Sequence, residues 1–434
     1  MMQITKKQII DEIKKFNNAS IKYYMEPKYK DIIINNLNKK FIDFFNNNET
    51  KEQNKNIIIK SLNDYLFDEF IPRSYIDNRI IYPLTDSKRE IIKQKIKIIE
   101  EKDKTNPAQR TPDWYHKRFN LLSASNIYKA LGTQASKNSL IYEKCKPIDT
   151  EKYNHVNINS AMHWGQKYEP VAQMYYEYNY DAIINEYGCI THSKYKFLGA
   201  SPDGINVKYD SDRYGRLVEI KSVVSRKITG IPKKDYWVQT QLQMECNDLD
   251  ECDFLECCFK EYDSYDEFIN DGGFNTTSGG NHKGIIMCFF KDNKPHYEYS
   301  PYQCSKHDYE LWEDKMMKNN TDKLWVSNNY WYLKTVSCVL IPRNREWFNC
   351  VVSEFEELWN TILYDRIHGY NHRKPNKRIT NKQEPPKTKV IKSDNTINDL
   401  LLNDLYNNKE LLEKENELFY NNTTKDSETI ETLK

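Results

Sequence analysis

The hydrophobic positions change period along the chain. Near the start they follow a helical period: Ile9, Ile10, Ile13 and Phe16 fall at helical spacing. The stretch IIYPLTDSKREIIKQKIKIIEEK predicts another helix, with Thr85 or Asp86 as N-cap before Ile91. From Thr105 onward aromatics and small residues become frequent, and short apolar runs alternate with helical ones. Helices are predicted over Ser125 to Leu131, over about Ser160 to Tyr178, and through YWVQTQLQMECN. Strands are predicted at INEYGCITHS, FLGASPDGINV, RLVEIKSVV, CDFLECCFKEY, GIIMCFF and PHYEYS. Helices rich in Trp and Glu, including REWFNCVVSEFEELWNTILYD, close this part. Such alternation predicts an α/β domain with helices around a central mixed sheet. Residues 371–393 hold eight Lys/Arg against one Glu, with three prolines, which reads as a flexible basic linker. The Leu-rich stretch INDLLLNDLYNNKELLEKENELFY after it suits a short helix.

Composition bounds the class. Of 434 residues, 38% are hydrophobic and 13% aromatic, enough for a core and against global disorder. A net charge of +1 gives no overall basic signature, so the local pattern must speak for any nucleic-acid partner. The ten cysteines lack framework spacing, the start lacks an apolar signal segment, and no run of 18 apolar residues occurs. These features predict an intracellular, cytoplasmic protein with reduced thiols, neither secreted nor membrane-spanning.

The chemistry concentrates in SPDGINVKYDSDRYGRLVEIKS. On a strand, Leu217, Glu219 and Lys221 share one face while Val218 and Ile220 share the other. Asp203 precedes Gly204, and the polar connection from Lys208 to Arg216 lets the chain fold back as a hairpin, which brings Asp203 beside Glu219. Two converging carboxylates call for a divalent ion with oxygen ligands, and Lys221 adds a cation. Phosphodiester hydrolysis needs that set: an activated water, neutralised phosphate charge and a stabilised oxyanion. Singly, PDG is a common turn and E-x-K a common strand; together, 16 residues apart on suitable elements, they are specific. In MHWGQKYEPVAQMYYEY, Gly165, Glu169, Ala172 and Tyr176 share a helix face, so small residues let this face approach a sheet with the Glu169 carboxylate inward. Tyr236, Gln239 and Gln243 share one face of a helix whose other face carries Val238 and Leu242, placing Gln239 to orient Lys221 or a water.

Other features carry less. Cys246, Cys252, Cys257 and Cys258 fall largely on one strand, where neighbours point to opposite faces, so buried free thiols are favoured over a metal cluster. The glycine-rich stretch from Gly272 to Gly280 lacks a G-K-[ST] ending and reads as a mobile loop. Trp312, Trp325, Trp331, Trp347 and Trp359 sit at helical spacing and are expected in the core rather than stacked on bases.

Four blocks in order, W-Y-H-K-R with L-L-S-A-S, H-W-G-Q-K-Y-E-P-V-A, G-A-S-P-D-G with L-V-E-I-K-S, and Y-W-V-Q-T-Q-L-Q, resemble the phage lambda-type exonucleases and YqaJ-like viral recombinase nucleases of the PD-(D/E)xK superfamily. The resemblance runs from about Trp114 to Cys246. It implies a restriction-endonuclease-like core, to which the helical periodicity of the first hundred or so residues adds a helical N-terminal extension outside the family core. It implies that Asp203 and Glu219 bind metal, Mg²⁺ or Mn²⁺, with the Ile220 carbonyl as a further ligand and Glu169 as a ligand or its close neighbour. Lys221 matches the catalytic lysine, Gln239 the helix glutamine, and Arg118 the arginine that takes a 5′-terminal phosphate, with Ser123, Ser125 and Ser201 at nearby phosphate-contacting positions. Asn120 departs from the glycine the family often has there.

The expected function is a metal-dependent deoxyribonuclease, a 5′-to-3′ exonuclease on double-stranded DNA ends in recombination or end processing. The resemblance further implies a single-strand annealing protein as partner, a homo-oligomer, and the host cytoplasm for a viral chain. A structure- or site-specific endonuclease, or a non-catalytic DNA-binding protein on the same fold, are the alternatives. The segments are a helical accessory region at 1–104, the catalytic domain at 105–368, and a basic linker with a short helical or disordered tail at 369–434.

Overall fold

The alternation in LVEIKS works on both faces of its strand, because both are covered. In the computed structural model, which describes parts of residues 11–39 together with 76–77, 83–109, 111–148, 157–292 and 294–375, this strand lies inside an eight-stranded sheet. The strands are β1 (Ile76–Asp77), β2 (Leu122–Ser123), β3 (Ile184–Asn185), β4 (Ile190–Thr191), β5 (Leu198–Ala200), β6 (Gly204–Asn206), β7 (Leu217–Ser222), β8 (Glu251–Glu261), β9 (Lys283–Lys291), β10 (Lys294–Tyr299) and β11 (Leu324–Pro342). The main sheet runs β10-β9-β11-β8-β7-β6-β3, with β1 beside the end of β11; β2, β5 and β4 form a small second sheet. Among the described residues of the main sheet only β7 and β8 pair in parallel, Leu217 opposite Cys252 through Ser222 opposite Cys257. A parallel pair needs a crossover, and the helix between those strands supplies it.

The helices are α1 (Asp86–Asp103), α2 (Pro112–Phe119), α3 (Gln134–Cys145), α4 (Ala161–Tyr180), α5 (Lys234–Asn247), α6 (Tyr265–Asn270), α7 (Lys306–Asn319) and α8 (Arg345–His368). Their starts follow from local chemistry. Thr85 Oγ accepts from Lys88 N at 3.3 Å and Ser160 Oγ from His163 N at 3.1 Å, each satisfying a donor the first turn leaves open. Helix α4 ends on Asp181 in the left-handed region, φ 49°.

On one face of the sheet α4 packs Tyr168, Val171, Ala172 and Tyr176 against Val218, Ile220, Leu255 and Phe259. On the other, Leu217 and Phe254 meet Trp237, Val238 and Leu242 of α5, and Trp347, Val351 and Phe355 of α8. Tyr24, Met25, Tyr29, Ile33, Ile96 and Ile99 belong to this same core, so the described part of segment 1–104 is layered onto the α/β unit rather than set apart. Among the described residues no helix is long and apolar enough to cross a membrane.

Several elements differ from expectation. The stretch from Leu324 to Pro342, read for its tryptophans as helical, is the longest strand: Trp331 is buried in the sheet and Trp325 is exposed at its start. Helix α3 carries no strong apolar period and was not anticipated, and the predicted helix to Leu131 is a short 3-10 turn, Ile127–Leu131. The glycine-rich loop is tied down, with Asp271 accepting from Ser278 N at 2.9 Å and Ser278 Oγ at 2.6 Å. The ten cysteines are free thiols. Ile9, Ile10 and Ile13 and the Leu-rich stretch near the end lie outside the described residues.

Candidate active site

The hairpin forms as its sequence asks. Strand β6 pairs antiparallel with β7, Gly204 opposite Val218 and Ile205 opposite Leu217. Gly204 is required by a close approach: a Cβ there would meet Ile184 Cγ2 at 2.1 Å. Just before it, Asp203 N donates to Val218 O at 3.1 Å, and Asp203 Oδ2 accepts from Ile220 N at 2.6 Å. The carboxylate thus continues the ladder where β6 has ended. Because N–H and C=O of one strand residue point the same way, the Ile220 carbonyl faces this vacated edge beside Asp203.

Glu219 is fully buried, and three donors hold it. Gln239 Nε2 reaches Oε1 at 2.6 Å, Gln243 Nε2 reaches Oε2 at 2.6 Å, and Lys221 Nζ donates to Oε1. Gln239 therefore orients the glutamate directly. The residue that sequence reasoning left without a role is Gln243; its signal was the i, i+4 spacing from Gln239, which puts both amides on one helix face. Lys221 also lies 5.4 Å from the Tyr236 ring centroid. Burial, Glu219 and Glu169 push the Asp203 carboxyl well above the usual range, against the pull of Lys221 and the Ile220 N–H. Burial would lower the Lys221 ammonium, but Glu219 and Asp203 outweigh it and raise it.

Glu169 departs from the inward pose its helix face suggested. It is exposed, at the mouth of the cleft, and a Cβ on Gly165 would meet nothing within 4 Å, so that glycine leaves a groove open rather than allowing close packing. Pro170 inside α4 has no N–H for the carbonyl one turn back.

One cleft of about 250 Å³ gathers Glu169, Asp203, Glu219, Lys221 and Gln239 with Arg118, Ser123, Ser125 and Ser201. Arg118 leans on Trp114, 4.7 Å from its ring centroid, with Nη2 3.4 Å from Ser125 Oγ. Ser123 is buried and its Oγ lies 3.2 Å from Asn126 Oδ1, while Ser125 is exposed. Ser201 spends its one O–H on Tyr187 O at 2.9 Å, so as arranged it gives the cleft no donor. Asn120 settles the departure from glycine by capping α2: its Nδ2 donates to His116 O at 3.2 Å. Below the cleft, Asp253 is buried and accepts from Arg213 at 2.6 Å, Arg216 at 3.2 Å and Tyr176 at 2.6 Å, a network that ties the β6–β7 connection to α4 and β8.

Among the described residues no group of three His, Cys, Asp or Glu side chains is arranged to hold a metal ion on its own. The donors here fit a hard ion that keeps its waters: the Asp203 carboxylate, the remaining lone pair on Glu219 Oε2, the Ile220 carbonyl and Glu169 at the rim. Such an ion commonly takes only one or two carboxylates from the protein.

A mixed sheet with helices on both faces, carrying an Asp, a Glu-x-Lys strand and a glutamate on the preceding helix around one cleft, is the arrangement that the resemblance to the PD-(D/E)xK superfamily leads one to expect. More particularly, residues 113–250 match the family model of the YqaJ-like viral recombinase domain. An uncharacterised protein of Acanthamoeba polyphaga mimivirus is 30% identical over 304 residues, 60% of this chain and 53% of that protein, so the chain spans about half the length of this curated relative. The crystal structure of an alkaline exonuclease from Laribacter hongkongensis aligns with 60% of this chain and 95% of its own, at 21% identity and a TM-score of 0.32. A second structure of that exonuclease, in complex with dAMP, aligns at 20% identity with the same TM-score.

Proposed function

We propose that this chain is a divalent-metal-dependent deoxyribonuclease that trims double-stranded DNA from 5′-phosphorylated ends. The observation that carries the reading is the joint lining of one cleft by Asp203, Glu219, Lys221 and Arg118. An acid–lysine centre alone suits any phosphodiesterase; a guanidinium in the same cleft suits a second phosphate, at the end of the strand.

Asp203, Glu219 and the Ile220 carbonyl would hold the ion, and Glu169 would take part from the rim. A divalent ion bound there supplies an acidified water and neutralises charge on the scissile phosphate. Glu219 keeps a fixed orientation because Gln239 and Gln243 grip its two oxygens from one helix. Lys221, kept protonated by its acidic neighbours, presents a cation to the charge that develops on phosphate oxygens. Arg118 and the Ser125 hydroxyl fix the terminal phosphate, which sets how far the strand enters and thereby which bond is cut. The catalytic unit is assigned to residues 105–368, with 1–104 as a helical extension and 369–434 as a basic tail.

The test is cleavage of a linear duplex bearing one 5′-phosphorylated end, with and without Mg²⁺, for wild type, Lys221→Ala and Arg118→Ala. Expected is Mg²⁺-dependent shortening from the phosphorylated end, abolished by the lysine change and slowed at that end by the arginine change. Internal cuts that ignore Arg118→Ala would move the function to an endonuclease. DNA binding without cleavage in Mg²⁺ or Mn²⁺ would leave a non-catalytic binding protein.

A further inference from the structure

We infer that Lys144 and Arg366 form a cationic brace behind the end-phosphate pocket and set the aim of Arg118; this rests on the reading that Arg118 takes a 5′-phosphate.

The brace is built on the end of helix α2. The backbone closes that end with long bonds: Asn120 N reaches His116 O at 3.3 Å and Lys117 O at 3.1 Å, and Leu121 N reaches Arg118 O at 3.3 Å. Two cations from distant elements add shorter bonds to the last two carbonyls. Lys144, on α3, donates through Nζ to the carbonyl of Arg118 itself at 2.7 Å. Arg366, on α8, donates through Nη2 to Phe119 O at 2.8 Å, through Nη1 to Asn120 Oδ1 at 3.1 Å, and through Nε back to Lys144 O at 3.0 Å. Its guanidinium also lies 4.1 Å from the Phe119 ring centroid. One side chain thereby fastens the ends of α2 and α3 to α8.

Arg118 is held unevenly. Its backbone is fixed by these bonds, whereas among the described residues its guanidinium has the Trp114 face and a 3.4 Å approach to Ser125. The direction in which it enters the cleft is therefore set from behind.

The charges point the same way. Lys144 is only 6% exposed, and among the described residues neither it, Arg366 nor Arg118 forms an ion pair with a carboxylate. Three cations around one helix end without an ion-paired counter-charge are costly. The partial negative charge of the α2 C-terminus offsets part of that cost. A terminal phosphate in the cleft offsets more, so the brace favours a filled pocket. Burial above all brings the Lys144 ammonium down to about 8, with Arg118 and Arg366 adding to the fall and Glu143 and Cys189 opposing it.

Both residues act through Arg118, so they are positioning residues. The test compares kcat and KM of the full chain with Mg²⁺ on matched duplexes ending in 5′-phosphate or 5′-hydroxyl. The variants are Lys144→Met, Lys144→Arg, Arg366→Gln and Arg118→Ala. Lys144→Met and Arg366→Gln should each lower the preference for the phosphorylated end on the order of tenfold, the size of one lost charge-assisted hydrogen bond, through KM rather than kcat. Lys144→Arg should keep most of that preference. Equal losses on both kinds of end would mean a plain structural cap and would overturn the brace. So would a wild-type preference in both variants while Arg118→Ala abolishes it. If Arg118→Ala leaves the preference intact, the pocket reading itself has failed, and the brace with it. Should Lys144→Met not fold, Arg366→Gln decides alone.

Discussion

Gln243→Leu isolates the second amide that grips Glu219. In the wild type Gln243 Nε2 donates to Glu219 Oε2 at 2.6 Å and, more weakly, to Ser201 O at 3.2 Å. Leucine fills similar space and removes both bonds. A hydrogen bond to a charged group contributes about 1.5–3 kcal/mol, and the buried carboxylate has no water to replace it. One feature of the wild type reduces the loss: Gln243 Oε1 is itself buried without a partner, so leucine removes an orphaned acceptor too. We therefore expect the low end, a destabilisation of about 1–2 kcal/mol in urea unfolding without metal. The functional loss should be larger. A carboxylate freed on one side can rotate, and losing a residue that orients a metal ligand typically costs 10–100-fold in metal affinity or activity. Mg²⁺ titration of cleavage should show the midpoint shifted to about tenfold higher concentration or beyond, with partial recovery at saturation. Gln239→Leu should behave similarly, and the double variant should lose less than the sum, because both amides act on one group. A wild-type Mg²⁺ midpoint in Gln243→Leu would refute the reasoning, since the grip on Glu219 would then be irrelevant to the ion.

Three further outcomes follow from the geometry. His192 is buried, its Nδ1 accepts from Lys194 N at 3.1 Å and Tyr195 N at 3.0 Å, and burial with Arg343 and nearby lysines lowers its pKa to about 4. Its neutral form is thus favoured by folding, so stability is full above about 6.5 and falls as pH drops towards 4, by roughly 2–3 kcal/mol; His192→Asn, which keeps an acceptor, should flatten the difference between urea curves at pH 7.5 and 5. Asp253→Asn leaves Arg213 and Arg216 without their shared anion and should cost about 3–5 kcal/mol by the same assay, whereas a loss below 1 kcal/mol would mean water reaches the network. Gly204→Ala puts a methyl into Ile184 and should cost about 1–3 kcal/mol, with cleavage falling further than stability because Asp203 is the adjacent residue.

The parts of the site that were legible in the sequence are those made by local rules. A strand's two-residue period put Glu219 and Lys221 on one face, and a hairpin of ordinary length returned Asp203 to them. What escaped was non-local. Strand β11 pairs with β9 through its first half and with β8 through its second, so its residues meet two environments and show no single alternation. Its tryptophans then invited a helical reading. Glu169 was placed on the correct helix face but assigned the wrong depth, because spacing reports direction and not distance to the sheet. The Lys144 and Arg366 contacts join positions 222 apart, which no window along the chain can reveal.

Two buried carboxylates on adjacent strands sharpen the distinction between structure and chemistry. Asp253 and Glu219 are both 0% exposed. Asp253 faces two guanidinium groups, and Arg216 pairs with Glu251 as well at 2.7 Å, so that cluster of two cations and two carboxylates is neutral when all four are ionised. Glu219 faces one ammonium and two neutral amides, and Asp203 shares the spot, so that neighbourhood is negative by one charge, or by two with Glu169. Folding alone would select the first arrangement, in which every charge is answered within the protein. The second is tolerable only with protonation or with a cation from outside. The rise in the Asp203 carboxyl is the response of the protein by itself, and a divalent ion is the alternative that also serves hydrolysis. Asp203→Asn should therefore raise thermal stability in the absence of metal while abolishing both cleavage and the stabilisation that Mg²⁺ gives the wild type. A variant that is less stable than wild type without metal would show that the excess charge is already answered by contacts within the chain.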